Sequence, residues 1–292
     1  MADIEPYFND HVVAGEKLLP GAAYLEMVRA AAEIAGECGV AKITDTIWMQ
    51  PMVFDEGNRN IQIGLYPCGR EIEYEITSQG GDGERLVHAR GKVIYQDEFM
   101  EPVQKTEEFI DIEAIRKRAA FHKSGPECYR EFQTVGIQYG SSFQTIRELF
   151  GSETESLSRL ELAAESEPEF GEYGFHPAII DGAFQTLAGI TAGGESGLQL
   201  PFALGGMEIA GKLPPVCYAY VTVSEATARI KKYRIRIVDE TGRVKITMRD
   251  FSVKESKSDR KTRSEMMEIF RRLQQGELNV DEAELLTGSV IL

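Results

Sequence analysis

Apolar residues recur at helical spacing in two places along this chain and alternate with polar ones through most of the rest. Over 20–37, Leu25, Val28, Ala32 and Ala35 repeat every three or four positions, which predicts an amphipathic helix. Pro20 suits its first position, where a missing N–H costs nothing, and Gly36 and Gly39 punctuate its end. Within 43–96 the segments ITDTIWMQPMVF, NIQIGLYP, EIEYEITSQ and RLVHARGKVIYQ alternate or carry β-branched side chains and predict strands. The GGDGE between the last two is a hairpin signal. A second Pro-initiated helix, PAIIDGAFQTLAGIT over 177–191, again precedes strand-like segments: LPFALGGMEIAG, CYAYVTVSEAT and KKYRIRIVDETGRVKITMRDFSVK. Helix followed by antiparallel strands thus occurs twice without a strict sequence repeat, which predicts an α+β fold.

The stretches between and after these patterns set the organisation. Residues 97–127 begin charged and extended and then become one short helix, so they read as a linker between units at 1–96 and 128–254. KESKSDRKTRSE, over 254–265, is nearly all polar and reads as a solvated linker. The remainder to 292 predicts two short amphipathic helices, the second capped by Asn279 with Glu282 completing a capping box.

Composition narrows the class. The 292 residues carry 32 Lys plus Arg against 47 Asp plus Glu, a net charge of −15. This balance opposes a nucleic-acid surface and an anionic membrane surface, both of which need clustered cations. The opening MADIEPYFND is acidic and lacks an apolar run, so no signal peptide is expected. No apolar stretch approaches the ~18 residues of a membrane span. Cys38, Cys68, Cys128 and Cys217 are far apart and form no CxxC, so neither a disulfide framework nor a zinc site is expected; a cytoplasmic location is. GxSxG, GxGxxG and Walker A phrases are absent, so hydride transfer and nucleotide use have no support in the chain.

Four histidines limit the proton chemistry: His11, His88, His122 and His176. His11 precedes a helix that starts Pro-Gly. The unpaired N–H groups of that helix start could polarise a carbonyl while His11 removes an adjacent proton. Taken alone, His11 reads first as a hydrogen-bonded loop residue. Asp181 falls early in the second helix among Ile179, Ile180, Phe184 and Leu187. A carboxyl in such surroundings keeps its proton and can act as an acid. Gln185, at i+4, lies on the same face and could orient it. Taken alone, Asp181 reads first as an acid favoured by the helix dipole. Gly182 weakens the helix, which points to close approach of a ligand or backbone. His176 precedes Pro177 and reads as packing or capping the helix entry; His88, in a strand, and His122, in the linker, read as structural. No metal-ligand spacing is present.

Four phrases, in order, carry a resemblance: His11–Gly15–Pro20 as HxxxGxxxxP, Tyr139-Gly140-Ser-Ser-Phe143 as YGxxF, Asp181–Gln185 as DxxxQ preceded by His-Pro, and Leu200-Pro201-Phe202 as LPF. In its arrangement over about residues 5–255 the chain resembles the dehydratase domain of modular polyketide synthases. EIFRRLQQGELNVDEAELL resembles the helical pieces of synthases served by free-standing acyltransferases, and points to that type.

The resemblance implies a double hotdog, two antiparallel sheets each wrapping a central helix. The units become an N-terminal hotdog (1–96), a linker (97–127), a C-terminal hotdog (128–254) and a tail (255–292). It implies that His11 is the catalytic base and Asp181 the acid, that Gln185 orients Asp181, and that Tyr139 lies near the β-hydroxyl. Gly21 would donate to the thioester carbonyl, with Pro20 and Gly15 completing the substrate-binding phrase. The substrate would be a β-hydroxyacyl chain on the phosphopantetheine arm of an acyl carrier protein, with no directly bound cofactor and no metal. Neighbouring synthase domains and a second copy in a homodimer would be the other partners, and antibiotic biosynthesis the setting. Arg234, Arg236 and Arg116–Arg118 are the candidates for docking the acidic carrier protein.

Two departures stand out. Ser141 stands where the family has Pro. Only ten residues precede His11, where further strands are expected, so the first hotdog would lack its first strands. Double-bond-shifting and pyran-forming relatives share the fold, as would a non-catalytic acyl-binding scaffold; a hotdog thioesterase would hydrolyse the thioester instead. Retention of His11, Asp181 and Pro20 favours dehydration.

Overall fold

The computed structural model describes residues 9–54, 60–80, 83–96, 108–164, 170–191, 198–226 and 231–255, and Arg272 beyond them. The expected tail helices, the Asn279 capping box and the first part of the linker lie outside the described residues.

Strands β1 (His11–Val13) and β2 (Glu16–Lys17) form a hairpin closed by Ala14 and Gly15, both at positive φ (50° and 84°). Two such residues in succession make the tight turn whose twist suits antiparallel strands. Helix α1 (Gly21–Gly36) follows, burying Ala22, Leu25, Val28 and Ala32 at helical spacing. Its last turn departs from the expected stripe: Ala35 is exposed and Ile34 is 81% exposed. Pro20 is the N-cap rather than the first helical residue.

Four strands follow: β3 (Val40–Trp48), β4 (Ile61–Cys68), β5 (Glu71–Gln79) and β6 (Arg85–Tyr95). The first starts earlier than its sequence pattern and ends at Trp48, because the N–H groups of Met49 and Gln50 both turn to the His88 carbonyl. Part of the stretch expected as linker is built into the fold. Helix α2 (Ile112–Arg118) lies there, capped by Asp111, and β7 (Phe121–Ser124) leads into helix α3 (Gly125–Thr134). Ser124 and Glu127 form a capping box at the start of α3.

Strand β8 (Ile137–Tyr139), a 3-10 turn (Ser141–Phe143), β9 (Ile146–Gly151) and β10 (Glu155–Glu161) precede helix α4 (Pro177–Gln185). The expected helix over 177–191 tightens to 3-10 geometry at Thr186–Gly189, where Ser156 and Thr186 hydroxyls capture the Thr186 and Gly182 carbonyls. Strands β11 (Gln199–Ile209), β12 (Val216–Ala226), β13 (Lys231–Val238) and β14 (Val244–Glu255) complete the described chain.

Among the described residues, eleven strands form one antiparallel sheet in the order β4-β5-β6-β3-β11-β14-β13-β12-β10-β9-β7, and β2-β1-β8 form a small second one. Helix α1 packs on β3 to β6, α4 packs on β10 and β12, and the two helices touch. This is a double hotdog. Its halves join through β3 and β11, from Ala203 opposite Ile47 to Glu208 opposite Lys42. One apolar core, including Leu25, Val28, Ile43, Ile180, Met207 and Phe251, runs through both halves.

Candidate active site

The first phrase of the sequence is a device for holding one imidazole. The Ala14–Gly15 turn brings the chain back so that Leu18 faces His11: the Leu18 N–H donates to the His11 carbonyl, and His11 Nδ1 lies 3.1 Å from the Leu18 carbonyl. A carbonyl only accepts, so Nδ1 carries a hydrogen, and in the neutral ring Nε2 is the nitrogen with the free lone pair. The ring is 7% exposed and meets the edges of Tyr139 and Phe143, with centroids 5.5 and 5.7 Å away. Gly15 itself sits exposed at the turn, so the structure gives it a conformational place.

Gly21 opens α1, and its N–H and that of Ala22 have no intrahelical acceptor. No side chain fits here: a Cβ on Gly21 would lie 2.9 Å from the Pro201 ring. The Trp48 indole N–H donates to the Gly21 carbonyl at 3.0 Å. The Leu-Pro-Phe phrase explains the approach of Pro201. The β11–β14 register shifts between Pro201 and Ala203, so Phe202 is the extra residue of a bulge that turns Pro201 to the helix start.

The YGxxF phrase ties His11 to α4. Tyr139 pairs with His11 in register. Gly140 leaves room for the Asp10 side chain, whose carboxylate accepts from the Ser142 N–H at 3.0 Å and from the Ser142 hydroxyl. Ser141 is the exposed first residue of the 3-10 turn, a position where the proline of the family would lose no hydrogen bond. The Phe143 carbonyl accepts from Gln185 Nε2 at 3.0 Å.

Asp181 is 4% exposed, between Ile180 and the following turn of α4. Gln185 Nε2 donates to its Oδ2 at 2.8 Å, the i+4 contact that the spacing predicts. Burial raises its carboxyl above the ordinary range; the nearby His11 and the Gln185 hydrogen bond oppose this without cancelling it. Burial, and after it the charge on Asp181, also raise the Tyr139 phenol, so that hydroxyl stays protonated. The structure therefore gathers His11, Tyr139, Asp181 and Gln185, drawn from β1, β8 and α4. At Gly182 the close approach is a side chain, since a Cβ would lie 2.2 Å from Thr145 Oγ1.

The other histidines are used elsewhere. His176 Nδ1 accepts from the Ala178 N–H as the N-cap of α4, and burial lowers its imidazole to about 4, which keeps it neutral. His88 Nε2 and Ser78 Oγ are 2.7 Å apart in the sheet, and His122 stacks on Phe150. Among the described residues no His, Cys, Asp and Glu group could hold a metal ion, and no helix is long and apolar enough to cross a membrane. Arg116, Arg118 and Arg236 are already paired, with Glu113 and Glu148, with Glu155 and with Glu108; Arg234 is exposed.

Three contributors are illegible in the sequence. Leu18 acts through its backbone. Tyr129 acts from α3, donating its hydroxyl to Gln185 Oε1 at 3.0 Å. Glu26, buried on α1, accepts from the N–H groups of Gly174 and Phe175 at 2.9 and 3.3 Å and pairs with Arg29, so it ties the entry of α4 to α1. Glu26→Ala leaves two amides and a largely buried guanidinium short of a partner. We expect a loss of about 3 kcal/mol in a urea titration; a loss below about 1 kcal/mol would show that Glu33 and water replace the carboxylate.

Comparisons with known proteins show the family and the fold. Residues 2–79 match a family model described as the polyketide synthase dehydratase domain. Residues 111–263, more than half of the chain, match one described as the polyketide synthase dehydratase N-terminal domain. Polyketide synthase PksM of Bacillus subtilis is 30% identical over 268 residues, which cover 86% of this chain and 6% of that protein. The chain thus spans a small part of its curated relatives. A trans-AT polyketide synthase dehydratase domain from Brevibacillus brevis is 28% identical with a TM-score of 0.79, covering 88% of this chain and 92% of that one. The dehydratase domain from the CurF module of curacin polyketide synthase is 25% identical, also with a TM-score of 0.79, covering 88% and 91%.

Proposed function

The chain belongs to the polyketide synthase dehydratase family, a family of hydro-lyases that dehydrate β-hydroxyacyl intermediates, and we propose that His11 and Asp181 perform this reaction in it. His11 Nε2 takes the proton from the α-carbon of the substrate. The thioester makes that proton acidic enough for one imidazole, because the developing negative charge moves to the carbonyl oxygen. The N–H groups that open α1, at Gly21 and Ala22, are the donors for that oxygen. The C–O bond at the β-carbon then breaks, and Asp181 gives its proton to the departing hydroxyl. Water leaves, and an α,β-unsaturated thioester remains. The enzyme is left with an imidazolium and a carboxylate, which attract each other until the proton returns.

The observation that carries this reading is a buried Asp181, its carboxyl raised by burial, within electrostatic reach of a His11 whose Nδ1 is committed to the Leu18 carbonyl. The substrate arrives on the phosphopantetheine arm of an acyl carrier protein, and the chemistry draws on no bound cofactor or metal. The test is to incubate the protein with a β-hydroxyacyl carrier-protein thioester and follow its mass. Loss of one water with the thioester intact supports the proposal. Release of free acid would favour a thioesterase, and no change with any stereoisomer would overturn it.

A further inference from the structure

Two features of the acid remain: which oxygen of Asp181 holds the proton, and why Gln185 faces it with nitrogen rather than oxygen. The surroundings of the Gln185 amide decide both. Nε2 lies 3.0 Å from the Phe143 carbonyl and 2.8 Å from Asp181 Oδ2. The carbonyl can only accept, so the NH2 end must face it. Oε1 lies 3.0 Å from the Tyr129 hydroxyl. That hydroxyl accepts from the Ile146 N–H at 2.8 Å, and its own hydrogen has two acceptors, the Phe143 carbonyl at 3.4 Å and Gln185 Oε1 at 3.0 Å, of which Gln185 is the nearer and the stronger. Tyr129 is 7% exposed and Gln185 4%, which leaves little room for water to substitute for either contact.

Resting on the proposed role of Asp181 as the acid, we infer that Tyr129 is a positioning residue that acts through Gln185, and that the acid proton of Asp181 sits on Oδ1. The chain of donors runs in one direction: Ile146 N–H to Tyr129 O, Tyr129 O–H to Gln185 Oε1, Gln185 N–H to Asp181 Oδ2. Each bond polarises the next, so Oδ2 behaves as the carbonyl oxygen of the acid. The hydroxyl is thereby assigned to Oδ1, the oxygen that Gln185 does not occupy. A Gln185 turned the other way would accept the proton of Asp181 itself and withhold it from the substrate.

The test uses the full chain with a β-hydroxyacyl thioester and reads kcat, KM and the alkaline limb of kcat/KM. The groups whose charge or phenol faces Asp181 are His11 on β1, Tyr139 on β8 and Tyr129 on α3. Tyr129→Phe weakens the Gln185 donor, so the carboxylate loses support. The alkaline limb moves up, kcat falls by roughly 10-fold and KM holds. A merely structural loosening hydrates Asp181 and moves the limb down. Gln185→Leu removes the link altogether, so adding Tyr129→Phe to it costs no further activity. Additive losses, or a limb that moves down or stays, would overturn the inference. Should Tyr129→Phe not fold, 3-fluorotyrosine at 129 keeps the shape and donates more strongly. The limb then moves down, and an unmoved limb would overturn the inference. Activity surviving Asp181→Asn would instead sink the underlying reading of Asp181, and leaves a different signature.

Discussion

His11→Ala is expected to lower the dehydration rate by roughly 10³-fold, with KM changed far less. The size follows from the loss of a positioned general base, which contributes about 10²–10⁴-fold. No other imidazole can take over, since His176 caps α4 and His88 and His122 are engaged in the sheet with Ser78 and Phe150. The substitution also has a structural cost. It leaves the Leu18 carbonyl without its imidazole donor in a buried place, worth about 1–3 kcal/mol. A melting curve beside the kinetics separates the two effects, because a folded variant at saturating substrate reports the chemistry alone. A rate within 10-fold of the unmodified protein would remove His11 from the reaction.

Asp181→Asn is expected to lower kcat by roughly 10²–10³-fold while leaving the fold intact or firmer. The amide has the shape of the acid and still accepts from Gln185, but it has no proton to give to a departing hydroxyl. The stability effect has a definite sign. Burial raises the folded carboxyl above its unfolded value, so the unfolded chain ionises first as pH rises. The stability cost of Asp181 therefore grows from the unfolded carboxylate value of about 4 upward and stays at its full size once the folded carboxyl also ionises. The amide carries no such cost. Its melting temperature should match or exceed that of the unmodified protein at neutral pH and converge with it near pH 3. A variant that is less stable at pH 7 than at pH 3, relative to the parent, would contradict a desolvated acid at this position.

Both substitutions act on residues legible in the linear pattern, and what made them legible differs from what makes them work. His11 stood out as a histidine ahead of a Pro-Gly helix start. The structure shows why the intervening residues matter: Gly15 supplies the turn, and the backbone of Leu18 supplies the hydrogen-bond partner. No side-chain pattern could announce Leu18, because the contact uses an atom every residue has. Tyr129 was illegible for another reason. It lies 56 positions from Gln185, and only the packing of α3 against β8 and β9 brings the two together. The expected linker hid β7 for a related reason: a four-residue edge strand carries too few alternations to stand out, and its pairing with β9 is what defines it.

By itself the sequence determined the local elements and the class of the fold. Two helices with apolar stripes, each followed by alternating segments, give an α+β class, while the double hotdog comes from the resemblance that the four phrases carry. The sequence also determined the i+4 contact of Asp181 with Gln185, which follows from the helical repeat alone. The tertiary structure decided the rest. It joined the two halves edge to edge through β3 and β11, and it set Asp181 within reach of a histidine 170 positions away. It chose the tautomer of that histidine and the direction of the Gln185 amide. These are outcomes of register and burial, which act between segments distant along the chain. They are settled only when both helices and both sheets share one core, where each buried polar group must find the partner the fold leaves it.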